Sequence, residues 1–192
     1  MRKMRCNPPL SASCGTQSVI AVERGCVCGS FKMLYVGQLN PLKNLPFLLE
    51  AFRKLNVVHR VDARLCIVGD GNLRNDLGRL AGQLGITDRV NFAGFVRHED
   101  LPRYYSDADV FVLPSTIETQ GMVAMEAMRF GKPVLVSSSI VSAGELVAHG
   151  CNGYVVEPNN SDDLAARLME LAGNPDRRLI MGHESYVRSK AY

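Results

Sequence analysis

The chain has 192 residues, 46% hydrophobic and 21% charged, the balance of a folded globular chain rather than a disordered one. No stretch approaches the ~20 apolar residues of a membrane helix, and the length suits one domain of the usual ~50–250 residues. The formal charge of +3 lies within residues 1–30 (Arg2, Lys3, Arg5 and Arg24 against Glu23), and residues 31–192 balance 18 basic against 18 acidic groups, which argues against a nucleic-acid binder.

Residues 1–30 read as a disordered or non-native leader. They hold Cys6, Cys14, Cys26 and Cys28, the Pro8-Pro9 pair and one short apolar run, 19–22. The 7–15-residue apolar core of a secretory signal is missing. A zinc site on the four cysteines is the sharper alternative, but their spacing matches no common ligand pattern and no histidine lies near. Cys66 sits in an apolar strand pattern, and Cys151 lies beside an Asn152-Gly153 turn. Nothing in these spacings suggests a disulfide framework, so a reducing cytoplasm is the expected compartment.

From Phe31 onward, strand and helix patterns alternate. The apolar run 33–36, ending at Gly37, predicts a buried strand. Asn44 is the expected cap of a helix with Pro46 in its first turn and the stripe Leu48, Phe52, Leu55. Residues 65–68 predict a second strand. Leu73, Leu77, Leu80 and Leu84 predict a helix stopped by Gly85. A short strand over 90–92 follows, then a short helix carrying Leu101, Tyr105 and Ala108, then a strand over 110–113 closed by Pro114. Residues 122–130 read as helix, 133–136 and 154–156 as strands. Ser161 is the expected cap of a helix with stripe Leu164, Leu168, Leu171, and a last helix follows Asn174-Pro175. Short apolar strands alternating with amphipathic helices imply an α/β, Rossmann-like parallel sheet of about six strands covered on both faces, in one domain over 31–192.

Ligands of such sheets bind at the carboxyl ends of the strands, so the loops there carry the functional reading. The first, 37–44, places Lys43 just before a helix start, where an ammonium beside helix amides makes a phosphate site; taken alone, these residues favour a solvated loop lysine. The second, Gly69-Asp70-Gly71, lacks the third glycine of a dinucleotide fingerprint, since Arg74 stands there; a tight strand-to-helix turn explains it as well. The third, 114–121, carries Glu118, and Gly121 opens a helix whose Met122 and Val123 amides are free to meet an anion. Glu126 is the only charge over 122–128, between Met122 and Phe130 on its face. It needs either a ligand or a partner, and Arg129 at i+3 is the partner the spacing offers. The methionines Met122, Met125 and Met128 read as packing residues. The histidines 59, 98, 149 and 183 read as surface groups.

Glu118 and Glu126, eight positions apart around a glycine helix start, resemble the Glu-x7-Glu signature of the retaining glycosyltransferases of group 1, which have the GT-B fold. The resemblance extends over most of 31–190. It includes the loop 37–43, Ile67-Val68-Gly69-Asp70-Gly71, residues 90–96, residues 109–115, Glu126-Ala127-Met128, Gly131-Lys132-Pro133-Val134, Glu145-Leu146-Val147 and Asn152-Gly153. It implies the C-terminal, donor-binding half of an enzyme that transfers a hexose from a UDP-, GDP- or ADP-linked sugar to a glycan or lipid acceptor. On that analogy Gly37 and Gln38 border the donor, and Lys43 neutralises the leaving diphosphate. Glu118 holds sugar hydroxyls, with Lys43 and Glu118 as the catalytic pair. The amides of Gly121, Met122 and Val123 face sugar and phosphate, Glu126 accepts both ribose hydroxyls, and the backbone near Val96 meets the base. No metal or other cofactor is implied.

The chain also departs from the family pattern. Gln38 replaces the usual arginine beside the first glycine, Thr119-Gln120 replaces Pro-Phe, and Val141-Ser142 stands where a glycine pair is common. An acceptor-binding domain normally precedes this one, and the final helix reads as cut short at Tyr192. The expectation is therefore a part of a larger enzyme, unable to complete transfer alone. Any membrane association would come through the absent half. A non-catalytic nucleotide-sugar-binding module or regulatory subunit is the second reading. A Rossmann oxidoreductase is a third, which the absent glycine fingerprint opposes.

Overall fold

The computed structural model describes residues 29–192; the leader up to 28, with its four cysteines and the zinc alternative, lies outside them. Six strands form one sheet: β1 (Phe31–Val36), β2 (Ala63–Val68), β3 (Val90–Gly94), β4 (Val110–Leu113), β5 (Val134–Ser137) and β6 (Gly153–Val156). Every pairing is parallel, in the order β3-β2-β1-β4-β5-β6. All six carboxyl ends therefore share one edge. The chain runs outward from β1 through β2 to β3, then returns to place β4 on β1's other side. That reversal makes the crevice between the β1 and β4 loops the topological switch point, where doubly wound sheets bind ligands.

The central strands are apolar throughout because both faces are covered. Val110, Phe111, Val112 and Leu113 are all buried, as are Val134, Leu135 and Val136. One face carries α1 (Leu45–Arg53), α2 (Arg74–Gln83) and α6 (Ser161–Gly173). Leu48, Phe52 and Leu55, the expected stripe, are wholly buried; Leu55 lies in the wider turn Lys54–Val58 that continues α1. The other side carries α3 (Leu101–Asp107), α4 (Met122–Arg129) and α7 (Pro175–Ser189). α7 approaches α4 closely: a Cβ on Gly182 would sit 2.2 Å from the Gly131 carbonyl oxygen.

Several local expectations are corrected. Asn44 precedes α1 but is left-handed (φ 51°) and its side chain makes no capping bond. Asn40 caps instead, accepting from the Leu42 amide at the start of a 3-10 turn over Pro41–Lys43. Ser161 is the first residue of α6, and Asn160 caps it, accepting from the Asp163 amide; the Ser161 hydroxyl accepts from Lys54 Nζ at 2.8 Å. A short helix, α5 (Ala143–Leu146), carried no sequence signal because four residues are too few to show a period. Met122 is 57% exposed, so it is not a packing residue, whereas Met128 is buried. Cys66 is a free thiol, and Cys151 is disulfide-bonded, which the cysteine spacings did not suggest.

Candidate functional site

The site is built from loops on either side of the switch point. The β1 loop is fixed from behind by β2's loop. The Gly37 amide donates to the Val68 carbonyl, and the Leu39 amide to the Asp70 carbonyl. A Cβ on Gly69 would lie 1.9 Å from the Gly37 carbonyl oxygen, and one on Gly71 would lie 2.5 Å from that of Leu39. Gly69-Asp70-Gly71 is therefore a buttress of two backbones in contact, which only glycine allows. The tight-turn reading of this segment holds, with a reason the sequence did not show.

The loops after β1 and β4 are bonded to each other. The Thr116 amide donates to the Leu42 carbonyl at 2.8 Å, and the Thr116 hydroxyl reaches the same oxygen at 3.2 Å. Beside this, Lys43 Nζ donates to Glu118 Oε2 at 2.5 Å, both side chains about one-fifth exposed. Burial pushes the Glu118 carboxyl pKa up, but the Lys43 ammonium and the amides of Thr119 and Gly121 outweigh it and hold it below the usual carboxylate range. The structure thus brings into contact two residues 75 positions apart whose contact nothing in their spacing shows. Gln38, exposed, accepts from Asn40 Nδ2 at 3.2 Å and adds no charge to this loop.

Glu118 is tied on its other flank to the β5 loop. The Val141 amide donates to the Glu118 carbonyl, and the Ser142 hydroxyl to that of Gln120. Gly121 then turns left-handed (φ 64°) to start α4, and a Cβ there would come within 3.0 Å of Leu146 Cδ1. Hydrogen bonding inside α4 begins with the Ala124 and Met125 amides on the Gly121 carbonyl. The Met122 and Val123 amides lie ahead of that ladder and face out at the positive end of the helix.

Glu126 sits four residues beyond Met122, just over one turn or ~6 Å along the helix. It is half-buried and makes no ion pair with Arg129, the partner the spacing offered; its partner is Tyr105 of α3, whose hydroxyl donates to Glu126 Oε2 at 2.7 Å. Tyr105 is 1% exposed and its ring stacks on Phe130 at 5.4 Å. In the sequence, Tyr105 reads only as part of a packing stripe. A usable signal was present, because a buried tyrosine hydroxyl normally has a partner. Val96 lies beyond β3 on the same carboxyl edge, partly buried against the core, beside the largely exposed Phe95.

Two grooves lie elsewhere and touch none of Lys43, Glu118 or Glu126. One, of 470 Å³, exposes Cys66, Asn91 and Tyr104 over β1–β3. Burial pushes the Cys66 thiol pKa up, Asp107 adds to that and Asn91 opposes it, so the sulfur is a poor nucleophile. The other, of 700 Å³, lies at the amino ends of the strands beside Phe31 and Arg178, opposite the edge where doubly wound sheets bind ligands. Among the described residues no cluster of acidic, histidine or cysteine side chains could hold a metal ion, and no helix is long and apolar enough to cross a membrane.

Known proteins are similar to this chain. An uncharacterized glycosyltransferase of Methanocaldococcus jannaschii is 41% identical over 133 residues, 69% of this chain and 33% of its own length. The alpha-D-kanosaminyltransferase of Streptomyces kanamyceticus is 35% identical over 153 residues, 80% of this chain and 39% of its own. Among solved structures, Anabaena HepE in complex with UDP superposes with a TM-score of 0.77 at 27% identity, over 84% of this chain and 44% of that one. The chain thus spans between a third and a half of the length of these three proteins. The family model for glycosyl transferases group 1 matches residues 27–188, and the chain belongs to that family.

Proposed function

We propose that this domain binds the nucleoside diphosphate of a sugar donor for a retaining, metal-independent hexosyl transfer to a glycan or lipid acceptor. The observation that carries the reading is the convergence at the switch point of Lys43, Glu118 and the open amides of α4, with Glu126 just over one turn further along. A cation and helix amides suit a diphosphate, and a fixed carboxylate suits two ribose hydroxyls. As the sugar–diphosphate bond breaks, charge grows on the leaving phosphate oxygen, where Lys43 and the Met122 and Val123 amides are placed to offset it. The incoming diphosphate competes with Glu118 for Lys43. Glu118, so released, turns its oxygens to the sugar hydroxyls.

Transfer requires a second domain to supply the acceptor and close the cleft. The side chains of Leu42, Phe95, Ile117, Met122 and Val141 are exposed around the carboxyl edge, and a covering domain would bury them. Titration of the purified chain with UDP, GDP and NAD tests the reading: UDP or GDP binds and NAD does not. Binding of NAD alone would overturn it. Sugar transfer by the 192-residue chain without a second chain would overturn the need for a covering domain. One observation favours a non-catalytic binding module. Gln38 puts an uncharged amide where the family has a second cation, and its oxygen is already engaged by Asn40.

A further inference from the structure

Glu126 is met by a neutral donor that the family pattern did not nominate. Tyr105 lies on α3, 21 positions before Glu126, and its hydroxyl reaches Oε2 at 2.7 Å. Its ring is held from two directions, stacked on Phe130 at 5.4 Å and tilted against Phe111 at 6.0 Å. With 1% of its surface exposed, the side chain has no freedom to leave. Burial first, and then the Glu126 carboxylate, push the phenol pKa far above its ordinary value, so it remains a donor at every working pH. A carboxylate has two oxygens with about four lone pairs. One phenol leaves the remaining lone pairs open and fixes the plane in which they point.

We infer that Tyr105 is a positioning residue: it locks the Glu126 carboxylate in the orientation that receives the two ribose hydroxyls, and so sets the preference for a ribonucleotide over its deoxy form. The inference rests on the ribose role proposed for Glu126. It also gives α3 a functional task. The segment from β3 to α3 passes Val96, expected near the base, and carries Tyr105 to the carboxylate proposed to hold the ribose of the same nucleoside.

The test uses the full chain and calorimetric titration with UDP, GDP and their 2′-deoxy forms. Tyr105→Phe keeps the stacked ring and removes only the hydroxyl. The expected result is an affinity loss of about 3- to 10-fold for the ribonucleotide, the worth of one positioning hydrogen bond, with a smaller loss for the 2′-deoxy form, which keeps only one of the two hydroxyls. Phe130→Leu, which loosens the stack but keeps the hydroxyl, serves as the packing control and should lower both affinities together or neither. A Tyr105→Phe variant that loses both affinities equally would make Tyr105 merely structural and overturn the inference, as would one that loses neither. This comparison survives a modest loss of stability, because general loosening cannot distinguish the two ligands. If the parent chain binds UDP or GDP without preferring ribose, the ribose role of Glu126 fails and the inference falls with it. If the parent discriminates and Tyr105→Phe discriminates equally well, only the inference fails.

Discussion

The two glutamates of the cleft have the same chemistry and opposite settings. Glu118 is on a loop, faces an ammonium at 2.5 Å, and is held ionised by that charge and two amides. Glu126 is on a helix and faces a buried phenol at 2.7 Å. The first has a strong partner that an anionic ligand can compete for; the second has a neutral partner that no anion displaces. On the proposed donor role, the difference means that one carboxylate changes partners on binding and the other stays still.

The comparison can be broken from the loop side first. Lys43→Ala removes the cation and leaves Glu118 facing the diphosphate unpaired. Affinity for UDP or GDP should fall about 100-fold or more, from ~1.5–3 kcal/mol for a charged hydrogen bond plus repulsion. Lys43→Ala with Glu118→Gln should recover part of that loss. Calorimetry checks both, and an unchanged affinity in the single variant would remove Lys43 from the site. From the helix side, Glu126→Ala should cost about 10- to 100-fold in the same titration, with a melting temperature lowered only by the loss of the hydrogen bond from Tyr105. A large loss of stability with no loss of affinity would make Glu126 structural.

Gly121 joins the two carboxylates. Gly121→Ala puts a Cβ 3.0 Å from Leu146 Cδ1 at a positive φ, for a cost of about 1–2 kcal/mol from the left-handed backbone. Thermal unfolding should report that loss, and the loop carboxylate should be disturbed more than the helical one. The smallest effect is the pH response of the pair. The Glu118 pKa is lowered in the folded chain, so its contribution to stability is fully present above the unfolded value of about 4.3 and is lost as pH falls through the folded value. An NMR titration of the Glu118 carboxyl should find it below the ordinary range, and Lys43→Ala should raise it.

Much of this architecture was legible in sequence because burial on both faces leaves runs such as Val110-Phe111-Val112-Leu113 with no polar interruption. Helix stripes at 48, 52 and 55 were legible for the same reason. Contacts between distant loops were not. Lys43 and Glu118 were each visible as residues at strand ends, but nothing in their spacing says that β1 and β4 are neighbours. Glu126 was singled out by its isolation among apolar residues, yet the helical period offered Arg129 while the tertiary fold supplies Tyr105. Caps were the least legible elements. Asn44 and Ser161 have the right residue type and position, but the capping bonds belong to Asn40 and Asn160.

The central claim is that a nucleoside diphosphate binds across the switch point, bridging the loop and helix carboxylates. The most direct measurement is backbone and side-chain NMR of the labelled chain during titration with UDP and with GDP. The account predicts shifts clustered at Lys43, Glu118, Gly121, Met122, Val123 and Glu126 for at least one of the two. Shifts confined to the groove around Cys66 and Asn91, or none with either nucleotide, would contradict it.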